Sequence, residues 1–170
     1  ESDLTMAKLK YADLRGANLT RANLTGVNLF RVDLRGANLT GIYLLGSNLT
    51  KANFSEANLS GVDIRNMDLT AVNLSGVDLS NQDLTGTILY LANLSEVNLS
   101  GVDLSNKDLT RVNLAGVDLS NQNLTETILT YANLSEANLD GVDLRDLDLT
   151  AVNLSGVDLS NQDLTGTILT

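Results

Sequence analysis

Carboxylates are the only chemically active side chains this chain holds in quantity, with 21 Asp and Glu against 11 Lys and Arg. Asp63, Asp83, Asp103, Asp143 and Asp163 recur at twenty-residue steps, with Asn123 standing where a sixth would fall. Carboxylates in such a row could work as an acid–base pair, hold a cation, or imitate a line of phosphates. Catalysis finds no support, because it needs a group set apart from its background and a pocket that excludes water. Here every Ser, Thr and Asp sits where a short repeat puts it, and no glycine-rich phosphate loop is present. The chain has neither Cys nor His, which removes thiol chemistry, thiolate and imidazole metal sites and the commonest general bases together. The expectation is a non-enzyme with no cofactor and no metal site; calcium between Asp rows is disfavoured because the Gly-rich repeats of calcium-loaded β-rolls are missing.

The element that positions these groups is five residues long. Every position in the series Leu4, Leu9, Leu14 to Leu169 is large and apolar, with only Phe54 and Ile64 departing from leucine, and 170 residues make 34 such units without a skip. Two residues earlier runs a second row, mostly small and apolar, such as Ala12, Val27, Val72 or Val152, and Asp or Asn lies between the two in nearly every unit. All thirteen glycines fall in the first slot of a unit, and Ser or Thr dominates the fifth. A period of five fits neither the 3.6 of a helix nor the 2.0 of a long strand, so each unit needs its own turn. Glycine in the first slot predicts a corner of positive φ or close backbone approach. Short extended sides joined by corners close into stacked coils around a leucine column.

The units Ala12-Asp13-Leu14, Ala17-Asn18-Leu19, Ala22-Asn23-Leu24 and Ala92-Asn93-Leu94 resemble those of the pentapeptide-repeat proteins, and the resemblance covers the whole chain. It implies an all-β fold, a right-handed quadrilateral β-helix of four units or 20 residues per coil, hence about 8.5 coils, with the apolar pair inside. On this reading residues 1–170 are a single solenoid domain. Residues 51–90, 91–130 and 131–170 are near-identical copies within it, each two coils long. With roughly 4.8 Å per coil the rod is about 41 Å long.

Folded into coils of twenty, the sequence separates its surfaces. The five aspartates named above form one acidic stripe, while the opposite face carries Asn73, Asn93, Asn113, Asn133 and Asn153 in the same slot. Like charges at this spacing predict raised carboxyl pKa values. Residues 1–65 hold eight basic and six acidic side chains, a net +2, and residues 66–170 hold three and fifteen, a net −12. That density, about one charge per 2 Å, approaches the roughly one per 1.7 Å of duplex DNA. Two readings stay open: acid that keeps an edge-rich rod soluble, or a surface that imitates DNA. Outward apolar residues are few, and Tyr11, Phe30, Tyr90, Leu91 and Tyr131 gather at one corner beside Lys10, Arg31, Lys51 and Arg111, with Ile88 and Ile128 on the neighbouring face. This edge reads either as a protein contact surface or as aromatics stacking in β-favourable positions. Lys107 stands in an inward slot and is expected to snorkel outward or pair with Asp108.

The preferred reading is a non-catalytic structural or protein-interaction module whose protein partner lies along that edge or the acidic stripe. Direct nucleic-acid and membrane binding are not expected. The resemblance supplies the alternative, since some pentapeptide-repeat proteins mimic duplex DNA and bind type II topoisomerases such as gyrase, giving quinolone resistance. Some dozen Asn-Leu-Ser/Thr sequons are by-products of the repeat. An ice-binding Thr array is disfavoured because the outward rows are broken by Arg65, Tyr90 and Arg145. The chain starts at Glu1 within a repeat and shows no leader before it, which suits processing or excision from something longer and, with uncapped ends, end-to-end self-association. Both a bacterial-type cytoplasmic and a processed lumenal or periplasmic setting fit.

Overall fold

The computed structural model describes residues 2–170, and these are arranged as a β-helix. Each unit turns on a bond from the second-slot N–H back to the leucine carbonyl three residues earlier, as from Ala12 to Leu9 (3.0 Å) and from Ala52 to Leu49 (2.8 Å). The third residue of each turn is the first slot of the next unit. It has positive φ at every such position from Tyr11 to Gly166, glycine or not. A left-handed third residue is what a type II turn requires. The sequence obeys a rule that the glycines alone conceal: no first-slot residue is Val, Ile or Thr, the side chains least able to enter that region.

Adjacent coils are joined by single-residue parallel bridges between residues twenty apart. At Asn73↔Asn93, for example, Asn93 N–H bonds the Val72 carbonyl (2.9 Å) and Leu74 N–H bonds the Asn93 carbonyl (2.8 Å). The twenty-residue step shows that four units complete a coil. Inside, leucines such as Leu94, Leu104 and Leu114 are fully buried among the small second-slot residues Ala92, Val102 and Val112. The four sides are named here by their third-slot residues: the Asp face (Asp3 to Asp163), the Ile face (Lys8 to Ile168), the Asn face (Asp13 to Asn153) and the mixed face (Asn18 to Asp158).

The bridges are not evenly distributed. Seventeen are present among the described residues, and in only one, Asp13↔Asp33, is the later residue an aspartate. Everywhere else the later residue is Asn, Tyr43 or an isoleucine. Direction along the rod accounts for most of the pattern, the pair Asp103 and Asn123 being unbridged in spite of it. The earlier residue's Oδ1 already accepts the N–H two residues on, as Asn93 accepts from Ser95 (3.1 Å), and an Asn in the next coil meets that oxygen with a donor. Asn93, Asn113, Asn133 and Asn153 each donate Nδ2 to the Oδ1 of the preceding Asn at 2.8–2.9 Å, and Asn98 and Asn138 donate to Asp78 and Asp118 at 3.0 Å. An aspartate arriving there brings a second acceptor and a negative charge. Asp33 differs from the other later aspartates in having a second arginine near it, with Arg15 Nε 3.9 Å away besides its own Arg35 at 2.7 Å.

The Asn face is therefore bridged without interruption from Asp13 to Asn153, the Ile and mixed faces are bridged in alternate gaps over the duplicated region, and the Asp face has no bridge beyond Tyr43. Coils are bound along one side and part along the other. Inward polar side chains flank the parted face and make good part of the loss. Ser47, Thr87, Lys107, Gln122, Thr127, Gln162 and Thr167 each bond the backbone carbonyl 23 residues earlier, at 2.7–3.2 Å. The Lys107 ammonium takes this role, donating to the Leu84 carbonyl at 2.8 Å, and makes no ion pair with Asp108.

Candidate functional site

On the edge between the Ile and Asn faces the structure divides the apolar residues into three groups. In the first, Tyr11 and Phe30 meet edge to face with ring centroids 5.6 Å apart. The Lys10 ammonium lies 4.9 and 5.3 Å from those rings and the Arg31 guanidinium 5.5 Å from Phe30. In the third, Arg111 lies 4.7 Å over the Tyr131 ring. Tyr90 and Leu91 stand between them, separated from the first group by Thr50, Lys51, Thr70 and Ala71. Phe30 is half-buried, whereas Tyr11, Tyr90, Leu91, Tyr131, Ile88 and Ile128 are each 43–58% exposed, too much for a side chain whose role is packing within the chain. Elsewhere on the rod an outward apolar residue escaped the sequence reading. Leu45, 76% exposed, sits in a fifth slot otherwise polar, and with Tyr43 it forms a small patch on the Asp face.

The acidic stripe is less acidic than its sequence. Each aspartate accepts the backbone N–H two residues on, and where that residue is arginine the guanidinium closes on the carboxylate: Arg65 on Asp63 at 2.7 Å and Arg145 on Asp143 at 2.5 Å. Asp83, Asp103 and Asp163 instead accept from the hydroxyls of Thr85, Ser105 and Thr165. The readable signal is that all four fifth-slot arginines, Arg15, Arg35, Arg65 and Arg145, follow an aspartate by two. These bonds overturn the expected raised pKa values. Asp63 and Asp143 are pulled down to about 2, chiefly by the arginine side chain and then by its N–H, as is Asp13 by Arg15. Asp83, Asp103 and Asp163 are lowered by their hydroxyl partner first, and Lys107 draws down Asp83 and Asp103 further. Mutual repulsion is felt only where Asp143 opposes the lowering of Asp163. The parted coils open two clefts on this face, of about 310 Å³ between Asp83 and Asp103 and about 590 Å³ between Asn123 and Asp143.

The lowered values fix a direction with pH. A carboxyl depressed in the folded state contributes stability above its unfolded pKa of about 4, and that contribution is lost as pH falls through the folded value of about 2. The thermal midpoint should hold level from pH 7 to about 5 and decline from about 4 towards 2. A midpoint that climbs as pH drops from 6 to 4 would instead signal the self-repelling ladder.

No strand, helix or disulfide sets these surfaces apart among the described residues; the repeat itself places them. No helix is long and apolar enough to cross a membrane. The family description "Pentapeptide repeats" matches residues 1–41, 28–66, 73–106, 108–146 and 143–170. No curated protein matches. Among solved structures, HetL of the cyanobacterium Nostoc sp. strain PCC 7120, a pentapeptide repeat protein involved in heterocyst differentiation regulation, is 30% identical; the alignment spans 99% of this chain and 85% of that one, with a TM-score of 0.44. A trypsin-treated form of QnrB1, a plasmid-mediated fluoroquinolone resistance protein, is 20% identical over 93% of this chain and 87% of its own, with a TM-score of 0.50. The repeat matched along nearly the whole sequence and the twenty-residue coil agree: this chain belongs to the pentapeptide-repeat family.

Proposed function

We propose that residues 1–170 act as one non-catalytic interaction module that docks a protein along the edge between the Ile and Asn faces. The observation that carries this reading is the exposure of Ile88, Tyr90, Leu91, Ile128 and Tyr131 on a rod whose other outward slots are mostly polar. Aromatic and Arg side chains at a solvent-open edge are the composition of binding hot spots, and Arg111 over Tyr131 supplies both in one contact. A convex rod built from repeats offers long surfaces rather than a water-excluding pocket.

A second reading, mimicry of DNA towards a type II topoisomerase, is favoured by the net −12 of residues 66–170. The resistance role in the name of QnrB1 points the same way. Two features narrow it. Arg65 and Arg145 neutralise Asp63 and Asp143, and the remaining acid is spread over the Asp, Ile and mixed faces.

One comparison separates the readings. Immobilised wild-type chain, a Tyr90→Ser/Leu91→Ser variant and an Asp83→Asn/Asp103→Asn/Asp143→Asn variant are used for partner capture, and each is assayed against gyrase supercoiling. The edge reading expects capture lost only in the Tyr90/Leu91 variant and supercoiling untouched. Unchanged capture by that variant removes it. Inhibition of supercoiling by wild type that vanishes in the Asp variant would establish the mimic in its place.

A further inference from the structure

We infer that the cleft between Asn123 and Asp143 binds a primary alkylammonium group, held as the Lys107 ammonium is held two coils earlier. The site lies on the Asp face, goes beyond the proposed docking edge and does not depend on it.

Along the parted face, a leucine-column carbonyl of one coil is bonded from the next coil by an inward polar side chain 23 residues on. Thr87 bonds Ile64, Lys107 bonds Leu84, Thr127 bonds Leu104 and Thr167 bonds Leu144. Between Ile64 and Leu144 the row is broken once, at Leu124, because position 147 is an apolar leucine. The Leu124 carbonyl accepts the Thr127 N–H of its own turn at 3.0 Å, and a carbonyl oxygen has a second lone pair.

The chain itself shows what suits that lone pair. Position 147 is the two-coil equivalent of 107, where the Lys107 Nζ donates to the Leu84 carbonyl at 2.8 Å and draws down the carboxyls of Asp83 and Asp103. The cleft around Lys107 measures about 310 Å³ and the one beside Leu147 about 590 Å³. Their walls correspond, with Gln122, Leu124 and Gly141 standing where Gln82, Leu84 and Gly101 stand in the smaller cleft. Their charges do not. Glu126, Asp143, Asp146 and Asp148 against Arg145 leave a net −3, while Asp83 and Asp103 against Lys107 leave −1. Arg145 is committed to Asp143, and Glu126, Asp146 and Asp148 take part in no ion pair among the described residues. Leu147 thus removes the cation from a site that keeps its acceptor and gains negative charge.

The lining selects the ligand. The carbonyl calls for an N–H donor, the carboxylates for a positive charge, and Leu147 with Ile128 for an apolar stem. An unbranched primary amine meets all three, and Glu126 and Asp146 favour a second positive charge at its far end. The carboxylates are spread out rather than gathered: no three acidic groups among the described residues are placed to hold a metal ion. Free diamines and the lysine side chains of a protein both carry the required chemistry.

Amide NMR titration of the isotope-labelled chain with the diamine cadaverine at low salt tests this. The expected result is saturable binding at one site, with a Kd on the order of 1 mM and shifts centred on the residues around Leu124 and Leu147. Leu147→Lys supplies the chain's own ammonium in a slot where Lys107 is already accommodated, and should weaken cadaverine at least tenfold. Ser100→Lys adds the same charge on the exposed mixed face and should stay within threefold of wild type. Lys107→Leu should create a second site, with shifts around Leu84. Tetramethylammonium, which has no N–H, should not compete. Shifts that never saturate, wild-type binding by Leu147→Lys, an equal loss in Ser100→Lys, a single site in Lys107→Leu, or competition by tetramethylammonium each overturn the inference. A second titration, with lysine blocked at its amino and carboxyl groups, separates the sources. Tighter binding of cadaverine assigns a free diamine, and equal or tighter binding of the blocked lysine assigns a protein side chain.

Discussion

Leu114→Ala lowers the unfolding free energy by about 2–5 kcal/mol, whereas Leu14→Ala costs clearly less. Leu114 is fully buried, with leucines of its own coil and of both neighbouring coils around it, and the ring of backbone bonds above and below fixes how little they can relax. The penalty combines lost transfer energy with a cavity the rigid coil cannot close. Leu14 is only partly buried, so truncation there exposes less to begin with. In a solenoid each coil is stabilised by its neighbours, so a central defect also weakens the coupling between two halves. Chemical denaturation of both variants measures the difference. Equal losses at the two positions would show that stability is not carried by the central leucine column.

Asn113→Asp should cost about 1–3 kcal/mol at neutral pH, although it changes one atom type on the surface. Asn113 donates Nδ2 to Asn93 Oδ1 at 2.8 Å, and its backbone bridges Asn93 through bonds of 3.0 and 2.7 Å. A carboxylate cannot donate and would face an oxygen already committed to its own turn. The Asn face would then open at that coil as the Asp face does. Because the folded state disfavours the charged form, the new carboxyl has a raised pKa, and the penalty should fade as pH falls through that raised value and be gone by about 4. The control is Asn98→Asp, placed where Asn98 likewise serves as the later bridge partner, against Asp118→Asn, placed where an aspartate leaves the gap to Asn98 unbridged. The first should destabilise and the second should not. Thermal midpoints that move alike for both would refute the directional rule.

While the twenty-residue coil came from the family resemblance, the five-residue unit, the leucine column and the glycine corners were legible because each follows from one residue type at a fixed place in the unit. The same was true of the exposed edge, where Tyr90 and Leu91 stand out against a polar background. What escaped depends on relations between units. On the mixed face an aspartate breaks the bridge when it is the later member of a pair twenty apart, so Asp78 and Asn98 pair while Asn98 and Asp118 do not. The pKa error had the same root: repulsion between stacked aspartates was weighed, but the arginine or hydroxyl two residues further along the chain lies nearer and prevails. Lys107 was expected to snorkel outward or pair with Asp108, yet its partner is a carbonyl one coil away.

The unbroken amide row along the Asn face also decides how the rod would bear a load. A lengthwise pull is shared unequally, because one side is stitched at every coil from Asp13 to Asn153 while the side opposite has no bridge beyond Tyr43 and is held by inward side chains and by corner bonds such as Asn66 N–H to the Thr85 carbonyl. The coils would fan apart like leaves bound along one margin before any of them tore loose. A ligand wedged into either cleft of the Asp face would work that hinge from the open side and bow the whole rod about its stitched seam.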